Sequence, residues 1–133
     1  MPKNILFVCV ENAGRSQMAE AFFKKYAGDK FDAVSAGTSP SFKLNPLAIQ
    51  VMKEIGIDMT AQFPKELSDS MMTNSSKTVN MGCMDKKSCP ALFVHDVLDW
   101  NISDPKEKSI EQVRIIRDQI KNKILTLIDS FEK

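Results

Sequence analysis

Residues 4–20 read Asn4-Ile5-Leu6-Phe7-Val8-Cys9-Val10-Glu11-Asn12-Ala13-Gly14-Arg15-Ser16-Gln17-Met18-Ala19-Glu20. The apolar run is short and rich in β-branched and aromatic side chains, so residues 4–10 are expected to form a strand buried on both faces. After a polar loop the pattern turns helical, with Met18, Ala19, Phe22, Phe23 and Tyr26 at helical spacing and Gly28 as the stop. Ser16 is positioned to cap that helix. A strand, a tight loop and a helix, with a thiol at the loop's entrance and a guanidinium at its exit, set the frame for the rest of the chain.

Outward from this stretch, strands and helices alternate. Phe31–Ser35 reads as a second strand closed by Ala36-Gly37. Asn45-Pro46 offers a cap followed by proline at the first helical position. Leu47, Ile49, Val51, Met52 and Ile55 supply that helix's apolar positions, and Gly56 its stop. Residues 64–72 suggest a short helix, Lys77–Met81 a third strand and Ala91–His95 a fourth. Ser109 with Gln112 makes a capping box. The stripe Ile110, Val113, Ile116, Ile120, Ile124, Leu127, Ile128 and Phe131 then marks a long amphipathic terminal helix. Such alternation implies a parallel sheet with helices on both faces, whose ligands bind at the carboxyl ends of the strands. Cys9 lies at such an end.

Composition narrows the function. The chain has 133 residues, 43% of them hydrophobic and 26% charged, which fits a single catalytic domain over residues 1–133. A formal net charge of +1 provides no global field for nucleic acid or an anionic membrane, so any anion site must be local. No apolar run approaches a membrane span, and the N-terminus does not read as a signal peptide. A cytoplasmic protein is expected, and in that reducing setting its cysteines, Cys9, Cys83 and Cys89, are more often reactive than structural.

The first loop is short enough to wrap one tetrahedral oxyanion. Backbone N–H groups of Val10, Glu11, Asn12, Ala13 and Gly14 can converge into an anion nest, reinforced by the start of the following helix. Gly14 is expected to permit a backbone conformation that a side chain would hinder. Arg15 can hold two oxygens through parallel hydrogen bonds. The same positive field favours the thiolate of Cys9, the nucleophilic form, and Ser16 can donate to that sulfur. The plainer alternative is a small buried cysteine and a surface arginine. The strand before, the helix after and Gly14 and Ser16 between favour the oxyanion site with a cysteine nucleophile.

Cys83 and Cys89 admit three readings: unrelated buried thiols, metal ligands, or a redox pair. His95 is the only histidine, and no four-ligand spacing accompanies it. In the redox reading, Cys83 attacks an adduct on Cys9 and Cys89 attacks the resulting disulfide, with Lys86 and Lys87 favouring thiolate. That reading uses every cysteine. Asp104-Pro105 is either a turn cap or, alongside the Cys9 loop, the general acid that protonates a leaving oxygen.

Cys9-Val10-Glu11-Asn12-Ala13-Gly14-Arg15-Ser16 followed by Gln17-Met18-Ala19-Glu20 resembles the thioredoxin-coupled arsenate reductases, which share the fold of low-molecular-weight protein tyrosine phosphatases. Ser35-Ala36-Gly37, Asn45-Pro46, the Cys83/Cys89 segment with Pro90, Trp100, Asp104-Pro105 and the terminal helix extend the resemblance along the chain. It implies a three-layer sandwich with a four-stranded parallel sheet. It implies that Cys9 attacks arsenate, Arg15 and the loop amides bind it, Ser16 supports the thiolate and Asp104 is the acid. It further implies that Cys83 attacks Cys9 to release arsenite, that Cys89 closes a disulfide with Cys83, and that thioredoxin reduces it. No tightly bound cofactor is implied, and a monomer is expected. The phosphatases share the loop alone, so the alternative is a phosphatase hydrolysing phosphate monoesters through a phosphocysteine. Glu11 and Gly14 stand where many members carry Gly and Cys. Asn12, Glu20 and Ser35 resemble the potassium ligands of some members, but Lys65 lies near where those members place an acidic ligand. An ammonium there can take the ion's place, and no metal is expected.

Overall fold

The computed structural model describes residues 3–28, 31–81, 97–100, 102–103 and 105–132. Cys83, Cys89, His95, Asp104 and the strand expected at Ala91–His95 lie outside them. The elements are β1 (Lys3–Cys9), α1 (Arg15–Ala27), β2 (Phe31–Gly37), α2 (Pro46–Lys53), α3 (Asp69–Asn74), β3 (Lys77–Asn80), β4 (Val97–Asp99) and α4 (Ile110–Glu132). The four strands form one sheet in the order β2-β1-β3-β4, and every pairing is parallel.

β1 is central, and its alternation feeds two cores. Ile5, Phe7 and Cys9 join the larger one with side chains of α1, α2 and α4. Leu6 and Val8 join the smaller one with Ala36, against Leu67, Met71 and Met72 around α3. That explains the uninterrupted apolar run: from Ile5 to Cys9 neither face of β1 meets water. In the larger core Phe7 packs edge-on to Phe23, with ring centroids 5.9 Å apart, and tilted against Trp100 at 6.0 Å.

From β1 the chain crosses to β2 on one side and, later, to β3 on the other. The reversal leaves a crevice beyond the carboxyl end of β1, which is where Cys9 sits.

Local signals explain the helix ends. Asn45 caps α2, its Oδ1 accepting from the Leu47 N–H at 2.9 Å. Ser109 and Gln112 form the expected box at α4. The α4 stripe is buried from Val113 to Ile128, with Ile110 and Phe131 at its half-buried ends. One expectation is corrected. The short helix begins at Asp69 because Ser68 caps it, while residues 64–67 run extended beside β2, held by Gly37 N–H on Lys65 O and Leu67 N–H on Gly37 O. α2 (Pro46–Lys53) is stopped at Gly56 as expected: its φ is 82°, its N–H binds Lys53 O and the Ile57 N–H binds Met52 O, both at 3.0 Å.

Candidate active site

Six carbonyls define the loop. Those of Cys9, Val10, Glu11 and Ala13 accept from the N–H groups of Thr38, Ser39, Ser41 and Asn45 at 2.8–3.2 Å, and that of Gly14 accepts from Met18 N–H. The Asn12 carbonyl accepts from Gln17 Nε2 at 3.0 Å. The two ends of a peptide unit point opposite ways, so carbonyls turned outward leave the N–H groups from Val10 to Arg15 facing the loop's centre. One of them can be followed directly: Asn12 N–H meets Cys9 Sγ at 3.2 Å.

Cys9 is 2% exposed at the floor of this ring. Ser16 Oγ lies 2.8 Å from its sulfur and also accepts from Asn12 Nδ2 at 2.7 Å. The hydroxyl proton is thereby directed to the sulfur, an arrangement suited to a thiolate. Ser16 therefore does not cap α1. The cap position falls to Gly14, without a side-chain hydrogen bond. Arg15, at the first turn, donates from Nη1 to Ile102 O at 3.1 Å, which anchors the guanidinium to the wall of the site.

Above the sulfur opens a cleft of about 370 Å³, lined by Cys9, Glu11, Ala13, Gly14 and Arg15 on one side and by Leu44, Leu47 and Pro105 among others on the rest. Glu11 reaches across its mouth to Lys106 at 2.9 Å. Asn12 lies beneath the ring, fully buried. Pro105, the neighbour of Asp104, packs so closely on the loop that a Cβ on Gly14 would come within 2.6 Å of its Cγ.

The expected reason for Gly14 takes a specific form: the approach of Pro105 leaves no room for a side chain on this residue. The left-handed residue is Asn12, at φ 53°, a conformation asparagine tolerates better than most.

The remaining expected residues fall under α1. Glu20, 3% exposed, accepts from Ser35 Oγ at 2.8 Å and pairs with Lys24 Nζ at 3.1 Å and Lys65 Nζ at 3.6 Å. Glu20 and Ser35 thus meet, while Asn12, the third residue expected with them, has its Oδ1 occupied by Gln17 Nε2 and the Lys65 N–H. Among the described residues no group of three His, Cys, Asp or Glu side chains is placed to hold a metal ion. Two residues with a part in the site were missed. Gln17, fully buried, holds Asn12. Gly37 lets β2 lie against the loop: a Cβ there would meet Val10 O at 2.5 Å.

An amide-lined ring with a thiol at its floor and an arginine on its wall, at the switch point of a parallel sheet, marks an α/β enzyme with a site shaped for a tetrahedral oxyanion. The chain belongs to the low-molecular-weight phosphotyrosine protein phosphatase family, whose model matches residues 4–133. An arsenate reductase of Bacillus cereus is 38% identical over 124 residues, which make up 92% of this chain and 91% of the relative. The structure is also similar to that of a thioredoxin-dependent arsenate reductase of Corynebacterium glutamicum, with a TM-score of 0.83 and 34% identity. That match covers 98% of this chain but spans 62% of the other. An arginine phosphatase of Geobacillus stearothermophilus has a TM-score of 0.86 at 26% identity, covering 98% of this chain and 94% of the other. No helix among the described residues is long and apolar enough to cross a membrane.

Proposed function

We propose that this chain is a cytoplasmic arsenate reductase. The Cys9 sulfur, set under inward-facing amides with the Ser16 hydroxyl 2.8 Å away, supports the oxyanion chemistry, and the likeness to arsenate reductases over most of the chain carries reduction over hydrolysis. Arsenate enters the ring, its oxygens on the loop N–H groups and Arg15. The Cys9 thiolate attacks arsenic, an As–S bond forms, and one oxygen leaves as water with a proton from Asp104. Cys83 then attacks the Cys9 sulfur. The As–S bond breaks with its electron pair on arsenic, so arsenic(V) becomes arsenite and the two cysteines become a disulfide. Cys89 displaces Cys9 to give Cys83–Cys89 and restores the Cys9 thiolate. A thioredoxin dithiol reduces the remaining disulfide by the same exchange.

The chemistry favours this over hydrolysis. A phosphorus–sulfur adduct can only be hydrolysed usefully, whereas an arsenic(V)–sulfur adduct can take two electrons from a second thiol. The likeness to a thioredoxin-dependent relative supports the same reductant here. The ammonium of Lys65 beside Glu20 and Ser35 serves as the fixed cation of that corner, so turnover needs no added potassium. The chain acts as a single catalytic domain and a monomer.

With thioredoxin, its reductase and NADPH supplied, arsenate should drive NADPH oxidation. Cys83→Ser should abolish it while phosphate still binds. No arsenate-dependent oxidation from the parent chain defeats the reading. The second reading, favoured by the likeness to an arginine phosphatase, is hydrolysis through a phosphocysteine. Under it, Cys83→Ser keeps its full turnover on a phosphate ester, and the specificity constant for the ester exceeds that for arsenate.

A further inference from the structure

Beneath the loop lies a row of side chains whose direction is set by backbone groups. Gln17 Nε2 faces two main-chain carbonyls, Asn12 O at 3.0 Å and Phe63 O at 2.8 Å, so the amide nitrogen must be on that side. Its Oε1 is then turned outward and accepts from Gln62 Nε2 at 2.6 Å. Gln62 is oriented in turn, because its nitrogen also meets the main-chain oxygen of Gln17 at 3.1 Å. Asn12 Oδ1 receives the Lys65 main-chain N–H at 2.8 Å and Gln17 Nε2 at 2.9 Å. That leaves Asn12 Nδ2 as the end facing Ser16 Oγ at 2.7 Å, and Ser16 faces the sulfur.

We propose that Gln62, Gln17, Asn12 and Ser16 form a one-way donor relay ending on Cys9 Sγ, with Gln17 and Gln62 as positioning residues for the nucleophile. Each member donates toward the sulfur and accepts from the member behind it. Hydrogen bonds in such a chain polarise one another, so the outermost donor strengthens the last bond, the one made to negative charge. Gln17, Asn12 and Ser16 are fully buried, so water does not replace a missing member. Gln62 is half-buried and belongs to the segment 59–65, so the surface there bears on the thiolate through four side chains. Lys65 contributes through its main chain, independently of the ion pair of its side chain with Glu20. This inference rests on the reading of Cys9 as the nucleophile.

The test uses the full chain with Cys83→Ser and Cys89→Ser, so that Cys9 is the only thiol, and follows thiolate absorbance against pH. Gln62→Lys keeps a donor, Gln62→Leu removes it, and Gln62→Glu, close to glutamine in shape, presents an acceptor to Gln17 Oε1. The relay predicts that Lys stays with the parent, whereas Leu and Glu move the profile to higher pH. At the pH where half the parent is thiolate, those two should lose roughly two- to tenfold in the thiolate-to-thiol ratio, the span of one hydrogen bond. A role in packing alone predicts the opposite order, with Glu, the isostere, mildest. Glu tracking the parent, Lys moving with Leu, or no movement at all each overturns the proposal. Should Leu fail to fold, the neutral Gln62→Met decides in its place, because Lys and Glu each add a charge that moves a thiolate on its own. The readout needs no arsenate, so a parent chain that does not reduce arsenate fails the functional reading separately.

Discussion

Gly37→Ala perturbs the site from a strand that carries none of its chemistry. Gly37 pairs with Cys9 in the β1–β2 register, and the neighbouring Thr38 N–H binds Cys9 O at 3.2 Å. An added methyl would lie 2.5 Å from Val10 O and 3.0 Å from both the Asn12 nitrogen and Cβ. To reach an ordinary contact of 3.4 Å, β2 and the loop must part by about 0.9 Å. The closest atoms belong to the loop's backbone, so rotamer changes cannot relieve the clash. Overpacking of this kind costs about 1–3 kcal/mol, or roughly 3–15 °C in melting temperature for a chain of this size. The catalytic loss should be larger in proportion, because a misplacement near 1 Å can cost on the order of 100-fold in rate. Thermal melts, phosphate affinity and arsenate turnover should be measured together. Gly28→Ala is the control. There φ is 69° with no atom within 4 Å of the added Cβ, so stability should fall by about 1 kcal/mol with turnover unchanged. If Gly37→Ala binds phosphate and turns over like the parent, the close approach of β2 to the loop is not a constraint and the reasoning fails.

Ile120→Ala, at a fully buried α4 position, should cost about 2–5 kcal/mol in denaturant unfolding while the folded enzyme keeps its KM. At the α2–α4 contact, the hydrogen bond from Arg114 holds the Glu54 carboxyl below its ordinary value of 4.5. A folded-state value lower than the unfolded one gives stability that is present above the unfolded value and lost as pH falls through the folded one. Acid titration of unfolding should therefore show a fall below about 4.5 that Glu54→Gln flattens. An identical acid limb in the variant assigns that fall elsewhere.

Local chemistry made much of this fold readable. The run from Ile5 to Val8 needed only its lack of polar residues to mark a strand buried on both faces. Asn45-Pro46 and the Ser109–Gln112 box act within a few residues of themselves, so both helix starts stood in the sequence. Among the described residues β4 spans three positions, too short for periodicity, and it follows the stretch where a strand was expected. At the site, the loop folded around a buried thiol was legible because Cys9, Gly14, Arg15 and Ser16 are neighbours. Their supports were not. Gln17 meets Gln62 and Phe63 only through the tertiary fold, and glycine at 37 is explained by a loop some twenty-five residues earlier. The left-handed residue proved to be Asn12, because asparagine tolerates the conformation and its buried amide has three partners to hold it there.

The proposed function turns on resolution of the Cys9 adduct by an internal relay of thiols. One measurement reaches it directly: mapping, by mass spectrometry, the disulfide that accumulates when the fully reduced chain meets one equivalent of arsenate without a reductant. The relay predicts Cys83–Cys89, a free Cys9 thiol and one equivalent of arsenite. A reduced chain with all three thiols intact and the arsenate unchanged would contradict it, and a Cys9–Cys83 disulfide that never advances would leave Cys89 without its role.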